Sequence, residues 1–148
     1  MNRHKAGKIF ERELGAMLIR SGWLRCYYVP PSAMYHNSDI LGMFDIYGLS
    51  ASYPTRHILI QAKKNISHYY SAKKELKSWM LMNLETEYEG GFFLMCIHKK
   101  ILRVWDGFFE AQYNTHGGKI TTALGGSRER VNKQPFPMPP KENIKGDF

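Results

Sequence analysis

The spacing of apolar residues alternates along the chain between helical and strand-like patterns, and this alternation limits the fold more than any other feature. Over residues 8–21 apolar side chains recur every three or four positions, which predicts a helix that Gly22 ends. Residues 73–85 repeat the helical pattern through Leu76, Met80 and Leu84. The chain therefore offers two amphipathic helices that must bury one side against something else.

Short apolar runs with the character of β-strands supply that partner. Strands are predicted over residues 24–29, 44–49, 57–62, 92–98 and 101–105. Prolines follow the first run, a turn around residues 52–54 joins the second and third, and a hairpin over residues 99–100 joins the last two. The order of helix, three strands, helix and two strands predicts an α+β fold, with helices packed on a mixed sheet.

The chain length of 148 residues fits one domain, with its core expected in residues 1–110. Beyond Trp105 glycine pairs and the proline-rich run at residues 135–140 interrupt any periodicity. Residues 111–148 are therefore predicted to form a basic C-terminal arm rich in glycine and proline. Its Arg128, Arg130 and Lys133 either contact phosphates or belong to a solvated tail that packs loosely on the domain.

The charge of the chain favours a polyanionic partner. Lys and Arg number 21 against 13 Asp and Glu, giving a formal net charge of +8. Nucleic acid is the commonest polyanion for so basic a protein, although a solvated basic face without a ligand gives the same balance. Cys26 and Cys96 form no CxxC pair and are interpreted as reduced core residues. With no apolar signal segment and no run long enough to cross a bilayer, an intracellular, cytoplasmic protein without membrane contact is expected.

The residues most suggestive of chemistry lie on two neighbouring predicted strands. Asp45 begins one strand, and Gln61 and Lys63 share one face of the next because side chains in a strand repeat with period two. In a hairpin, a carboxylate, an amide oxygen and an ammonium would then converge at one strand end. Oxygen ligands suit Mg²⁺, and a lysine can orient a metal-bound water or stabilise developing charge. The alternative is that Asp45 is a turn residue and Lys63 lies at a sheet edge.

The predicted first helix adds another acidic residue. Glu11 lies at the edge of the apolar stripe, whereas Glu13 points to the opposite, solvated side. A carboxylate at a packed edge is costly unless it meets a cation. Glu11 is therefore either a further metal ligand or the partner of Lys63 in a structural ion pair.

This helix resembles the opening helix of archaeal and viral Holliday junction resolvases, which belong to the PD-(D/E)XK nuclease superfamily. The resemblance rests on the runs Lys5-Ala6-Gly7, Glu11-Arg12-Glu13-Leu14 and Ser21-Gly22-Trp23, and it extends over about residues 3–106. It implies a restriction-endonuclease-like core and a site in which Glu11, Asp45 and Lys63 match the family's residues. It also implies that Ser32, in a loop after two prolines, lies near the scissile phosphate.

Two positions depart from the family pattern. Gln61 stands where the family has glutamate, and Tyr28 stands where the resolvases commonly have arginine. An amide oxygen still ligates Mg²⁺ but carries no charge, and the resemblance to restriction-type nucleases with Gln-x-Lys is compatible with activity. Asp39, six residues before Asp45, is a candidate for compensating charge or a simple turn residue.

The expected function is that of a Mg²⁺-dependent DNA endonuclease, with Mn²⁺ as a substitute metal. Glu11, Asp45 and Gln61 are the predicted metal ligands, Lys63 the catalytic ammonium and Ser32 a contact on the phosphate side. The resemblance favours a homodimeric Holliday junction resolvase that makes paired nicks in branched DNA. It is also compatible with a virus- or phage-encoded protein acting in its host cell. The alternatives are a restriction- or repair-type nuclease on duplex or single-stranded DNA, and a DNA-binding module of the same fold without cleavage.

Basic and aromatic residues beside the predicted site are candidates for DNA contacts. These are Lys5, Lys64, Lys73, Lys74 and Tyr69. A solvated helix face is the alternative for the lysines among them. The histidines show no zinc-binding spacing.

Overall fold

A computed structural model describes residues 3–31, 39–51, 55–84 and 91–124, with the backbone alone described for residues 3–6. The elements in this part of the chain are α1 (Arg3–Arg20), β1 (Leu24–Tyr28), β2 (Ile46–Ser50), β3 (His57–Lys63), α2 (Ile66–Asn83), β4 (Phe92–His98), β5 (Ile101–Trp105), β6 (Glu110–His116) and β7 (Lys119–Leu124). The predicted α+β class, with helices packed on a mixed sheet, is confirmed.

The seven strands form one sheet in which spatial order follows chain order from β1 to β7. Every neighbouring pair is antiparallel except β3 and β4, which run parallel because α2 connects them as a crossover. The β4–β5 hairpin turns at Lys99 and Lys100, whose φ angles of 52° and 64° are those of a type I′ turn. This hairpin lies where the sequence predicts it.

The two helices cover opposite faces of the sheet. Leu14 and Leu18 of α1 are fully buried in a core cluster with Ile58 and Ile60 of β3. On β4, Phe93 and Met95 belong to this cluster, whereas Leu94 between them belongs to a second cluster. That second cluster contains Leu76 and Met80 of α2 and is called the α2 cluster below. β3 pairs with β2 on one side and β4 on the other, so its C-terminal end lies in a sheet that has α1 on one face and α2 on the other.

The last two strands, β6 and β7, lie in the segment for which the sequence predicts an arm. In β6 only alternate residues are apolar and buried, Ala111 and Tyr113, and polar residues stand between them. Such a run gives a faint hydrophobic signal. The far strand is fixed to α1, since Arg20 Nε donates to the carbonyl of Gly118 at 3.1 Å and Ile120 N–H donates to Ser21 Oγ at 2.8 Å. Residues 125–148 of the predicted arm lie outside the described residues.

The second helix begins seven residues before the predicted start. Asn65 caps it, because its side-chain oxygen accepts from the backbone N–H groups of Ser67 and His68. The first turns carry polar residues between Tyr69 and Ala72, so the apolar repeat becomes clear only later in the helix. The predicted loop 32–38 and turn 52–54 lie outside the described residues.

Burial of the cysteines matches the prediction at one position only. Cys96 is buried in the α2 cluster, as expected. Cys26 is exposed, so its prediction as a core residue is wrong; it lies on β1, the first edge strand of the sheet. Neither helix in the described part of the chain has both the length and the apolar character needed to cross a membrane.

Candidate active site

The site begins where Asp45 enters β2. The Asp45 N–H donates to the carbonyl of Ile60 at 2.8 Å, which extends the pairing beyond the register partners Ile46 and Ile60. The side chain turns back on β3, where Asp45 Oδ2 accepts from the Ala62 N–H at 2.8 Å. Two strand contacts thus hold the carboxyl beside the Gln61-Ala62-Lys63 segment, as the hairpin argument predicts.

Gln61 and Lys63 lie at the C-terminal end of β3. Gln61 is 6% exposed, and its Oε1 is buried without a hydrogen-bond partner among the described residues. Lys63 is half-buried and pairs in register with Cys96 of the parallel strand β4. A buried amide oxygen with no donor is costly unless something else satisfies it. Gln61 therefore offers a free oxygen at this strand end.

Glu11 of α1 completes the group. The Nζ of Lys8 lies 3.2 Å from Glu11 Oε1, and both side chains are nearly buried. That oxygen is also buried and makes no proper hydrogen bond in the described part of the chain. The ion-pair partner of Glu11 here is therefore Lys8, and the alternative of a Glu11–Lys63 ion pair is not what forms. Sequence analysis missed Lys8, although its position three residues before Glu11 puts it on the same helix face.

The carboxyl groups of Glu11 and Asp45 act on each other. Burial raises the pKa of Glu11, while the charge of Lys8 and a hydrogen bond with Asp45 oppose that rise. Burial also raises the pKa of Asp45, to about 7, with the charges of Glu11 and Asp39 adding to it and that of Lys63 opposing it. The protonation of one carboxyl therefore depends on the charge of the other, and both keep a proton more readily than an exposed carboxyl does.

The oxygen donors of this group fit a hard divalent cation, provided that an amide oxygen serves beside the two carboxylates. Carboxylate oxygens of Glu11 and Asp45 and the amide oxygen of Gln61 are oxygen ligands of the type Mg²⁺ takes, and the Gln61 oxygen is buried without a hydrogen bond among the described residues. Across residues 3–31, 39–51, 55–84 and 91–124 no group of three His, Cys, Asp or Glu side chains could hold a metal ion. A cation held by the acidic pair would therefore need Gln61 as a third protein ligand.

The remaining residues singled out from the sequence include one outside the described residues, two exposed lysines and one half-buried aspartate. Ser32 lies in the segment that is not described, and for Lys5 only the helical backbone is described. Lys64 and Lys74 are exposed, as DNA contacts require. Asp39, also considered from the sequence, is half-buried and close enough for its charge to raise the pKa values of Glu11 and Asp45.

Tyr69 and Lys73, predicted as DNA contacts, both bind Glu110 of β6. Tyr69 is fully buried, and its hydroxyl donates to Glu110 Oε1 at 2.7 Å. The Nζ of Lys73 donates to the same oxygen at 2.8 Å and lies 5.0 Å from the ring centre of Tyr69. Tyr69 has no exposed surface, so its prediction as a DNA contact is wrong. The side chain of Lys73 is 25% exposed, and its role in DNA binding stays a prediction. Glu110 belongs to β6, a strand that the sequence did not predict.

Comparison of the chain with protein-family models, with curated proteins and with solved structures gives no match.

Proposed function

We propose that the protein is a Mg²⁺-dependent DNA endonuclease whose site comprises Glu11, Asp45, Gln61 and Lys63. The observation that carries the proposal is the coupling of the Glu11 and Asp45 carboxyls beside the end of β3, where the buried Gln61 oxygen lacks a hydrogen bond among the described residues. The half-buried Lys63 at the end of the same strand is the fourth member. A hydrophobic core does not need two carboxyls beside an amide oxygen and a lysine, whereas metal-assisted phosphodiester cleavage needs such residues.

Each residue has a distinct role in this proposal. Glu11, Asp45 and Gln61 would hold Mg²⁺, which when bound neutralises phosphate charge and lowers the pKa of a water molecule. Asp45 must lose its proton to serve as a ligand. Lys63, with its charge already close enough to affect Asp45, stabilises negative charge that develops on the phosphate. The backbone N–H of Ala62 keeps the Asp45 carboxyl in place throughout.

The finer proposal is a restriction-endonuclease-like nuclease that cuts branched DNA as a homodimer. The formal charge of +8 per chain supports extensive backbone contact, which reads shape but not base sequence. A symmetric dimer would present one site to each of two strands related by the two-fold axis of a four-way junction. Exposed Lys64 and Lys74 are the described candidates for phosphate contacts near the site.

A nicking assay on a labelled four-way junction in Mg²⁺ tests both levels of the proposal. Asp45→Asn and Lys63→Ala should each lower the cleavage rate by about two to three orders of magnitude, because each removes a group that acts in the transition state. Lys119→Ala, an exposed lysine on β7, is the matched control and should cut at the parental rate.

The outcomes separate the two levels. Parental activity in Asp45→Asn would show that the proposed centre is wrong. Paired nicks at symmetric positions, with linear duplex competing poorly, are the result expected of a junction resolvase. If linear duplex is cut as readily, the enzyme is a general nuclease and the junction proposal fails.

A further inference from the structure

Three aromatic side chains form a row across β1, β2 and β3 beside the candidate site. Tyr28 of β1 is paired in register with Tyr47 of β2, so the two side chains stand on the same face of the sheet. The rings of Tyr47 and His57 are stacked, with centroids 5.7 Å apart and planes inclined by 27°. The Tyr47 hydroxyl and His57 Nδ1 are also hydrogen-bonded, which fixes the two rings relative to each other.

The row lies on the part of its sheet face that α2 leaves uncovered. Tyr47 is paired with Leu59, which packs against the α2 cluster, so the row is on the α2 face. That helix packs mainly on β3 and β4. Tyr28 accordingly remains 57% exposed, and His57 is exposed as well. The three rings therefore leave an exposed aromatic surface on which a planar ligand can stack.

The same strands lead directly into the candidate site. Tyr47 follows Asp45 by two residues, a separation of about 7 Å along a strand. His57 and Lys63 begin and end β3, so the strand spans about 20 Å from the row to the ammonium. A chain of nucleotides whose phosphate lies at Asp45 and Lys63 would therefore bring a base within a few nucleotides of that phosphate over the row.

We propose that Tyr28, Tyr47 and His57 form a stacking surface for an unpaired nucleobase within a few nucleotides of the scissile phosphate. This inference rests on the proposed nuclease function and names its substrate class: DNA in which at least one base near the cut is unstacked, as in single strands, flaps and branch points. The chemistry that selects this partner is twofold. The aromatic faces accept any base, and the chain's net charge of +8 attracts the accompanying phosphates.

Binding to a labelled oligothymidine tests the proposal, with an abasic oligonucleotide of the same length as the comparison. Both are measured in EDTA, so that cleavage plays no part. Because base–aromatic stacking contributes strongly to single-strand binding, oligothymidine should bind on the order of ten-fold more tightly than the abasic strand. Tyr28→Ala should remove most of this difference while leaving the affinity for the abasic strand unchanged. Tyr28→Phe should retain the difference, since the ring is kept.

Two further variants test whether the effect is specific to the row of aromatic residues. His57→Ala removes an exposed ring from a different strand and should also reduce the difference between the two oligonucleotides. Phe108→Ala removes an aromatic side chain that is 61% exposed in the β5–β6 turn, and it should leave the difference intact. Melting temperatures of all variants establish that each is folded before its affinity is compared.

The result that overturns the proposal is a base-dependent difference that survives in both Tyr28→Ala and His57→Ala. A change of oligomeric state in Tyr28→Ala with the difference intact would equally overturn it, because the row would then be a subunit contact. Failure of the nuclease proposal looks different: no cleavage in Mg²⁺, with the loss of base-dependent binding in Tyr28→Ala still observed.

Discussion

Replacing Asp45 by asparagine should stabilise the metal-free protein above neutral pH. Burial raises the pKa of Asp45 from its ordinary 3.8 to about 7. At about 1.4 kcal/mol per pH unit, this difference corresponds to an upper limit of about 4 kcal/mol for ionising the carboxyl in the folded protein. Asparagine removes the charge and keeps an oxygen that can accept from the Ala62 N–H.

The direction of the pH dependence follows from linkage. Between pH 4 and pH 7 the folded protein keeps a proton on Asp45 that the unfolded chain has lost, so raising the pH favours unfolding. The contribution of Asp45 to stability is therefore fully present below about pH 4 and is lost as the pH rises through about 7. Metal binding must displace the same proton, so Mg²⁺ affinity should rise over this pH range.

Urea unfolding in EDTA at pH 5 and pH 8 measures the effect. At pH 8 the free energy of unfolding of Asp45→Asn should exceed that of the parent by about 1–4 kcal/mol, equivalent to several degrees in melting temperature. At pH 5 the gap should be smaller. Glu13→Gln, an exposed carboxyl on α1, is the control and should show no such dependence. An Asp45→Asn variant that is less stable than the parent at pH 8 would refute the reasoning.

Two further predictions concern the third ligand and the network behind the site. Gln61→Glu should lower the Mg²⁺ concentration that gives half-maximal cleavage, since it adds charge to the oxygen ligands; an unchanged or higher midpoint would show that Gln61 does not contact the metal. Burial alone would raise the pKa of Glu110, but hydrogen bonds from Lys73, Gln112 and Tyr69 outweigh it and the pKa is lowered. Glu110→Gln should therefore destabilise the fold by about 2 kcal/mol in urea unfolding, with the loss shrinking as the pH falls below the ordinary pKa of the carboxyl.

The arrangement of Asp45, Gln61 and Lys63 could be predicted because it depends on local rules. Side chains two apart in a strand share a face, and a short turn brings consecutive strands together. In the structure β2 pairs with β3, and Lys63 lies close enough to Asp45 for its charge to oppose the rise in the pKa of Asp45. The hydrophobic stripe on α1 likewise indicated which side of the helix meets the sheet, and hence where Glu11 lies.

The environment of α2 could not be predicted in the same way. Lys73 looks from the sequence like a solvated base on a helix, because its partner Glu110 is 37 residues away on a strand with a weak hydrophobic pattern. β6 places Glu110 on the face of the sheet that α2 covers, where it accepts a hydrogen bond from the hydroxyl of Tyr69. Long-range pairing, not local propensity, places Lys73 beside Glu110.

The amide at position 61 follows from the charge balance of the buried site. Glu11 and Lys8 form an ion pair, and burial raises the pKa of Asp45 to about 7, so the metal-free group carries little net negative charge. A glutamate at position 61 would add a third buried carboxyl, with Lys8 already committed and Lys63 acting on Asp45. Burying an uncompensated carboxylate is costly, and the group responds by holding its proton. Gln61→Glu should consequently lower the free energy of unfolding in EDTA at pH 8 while strengthening Mg²⁺ binding, and added Mg²⁺ should stabilise the variant more than the parent. If the variant is as stable as the parent in EDTA, position 61 does not share the low-dielectric environment of Asp45, and its buried oxygen is not part of the metal site.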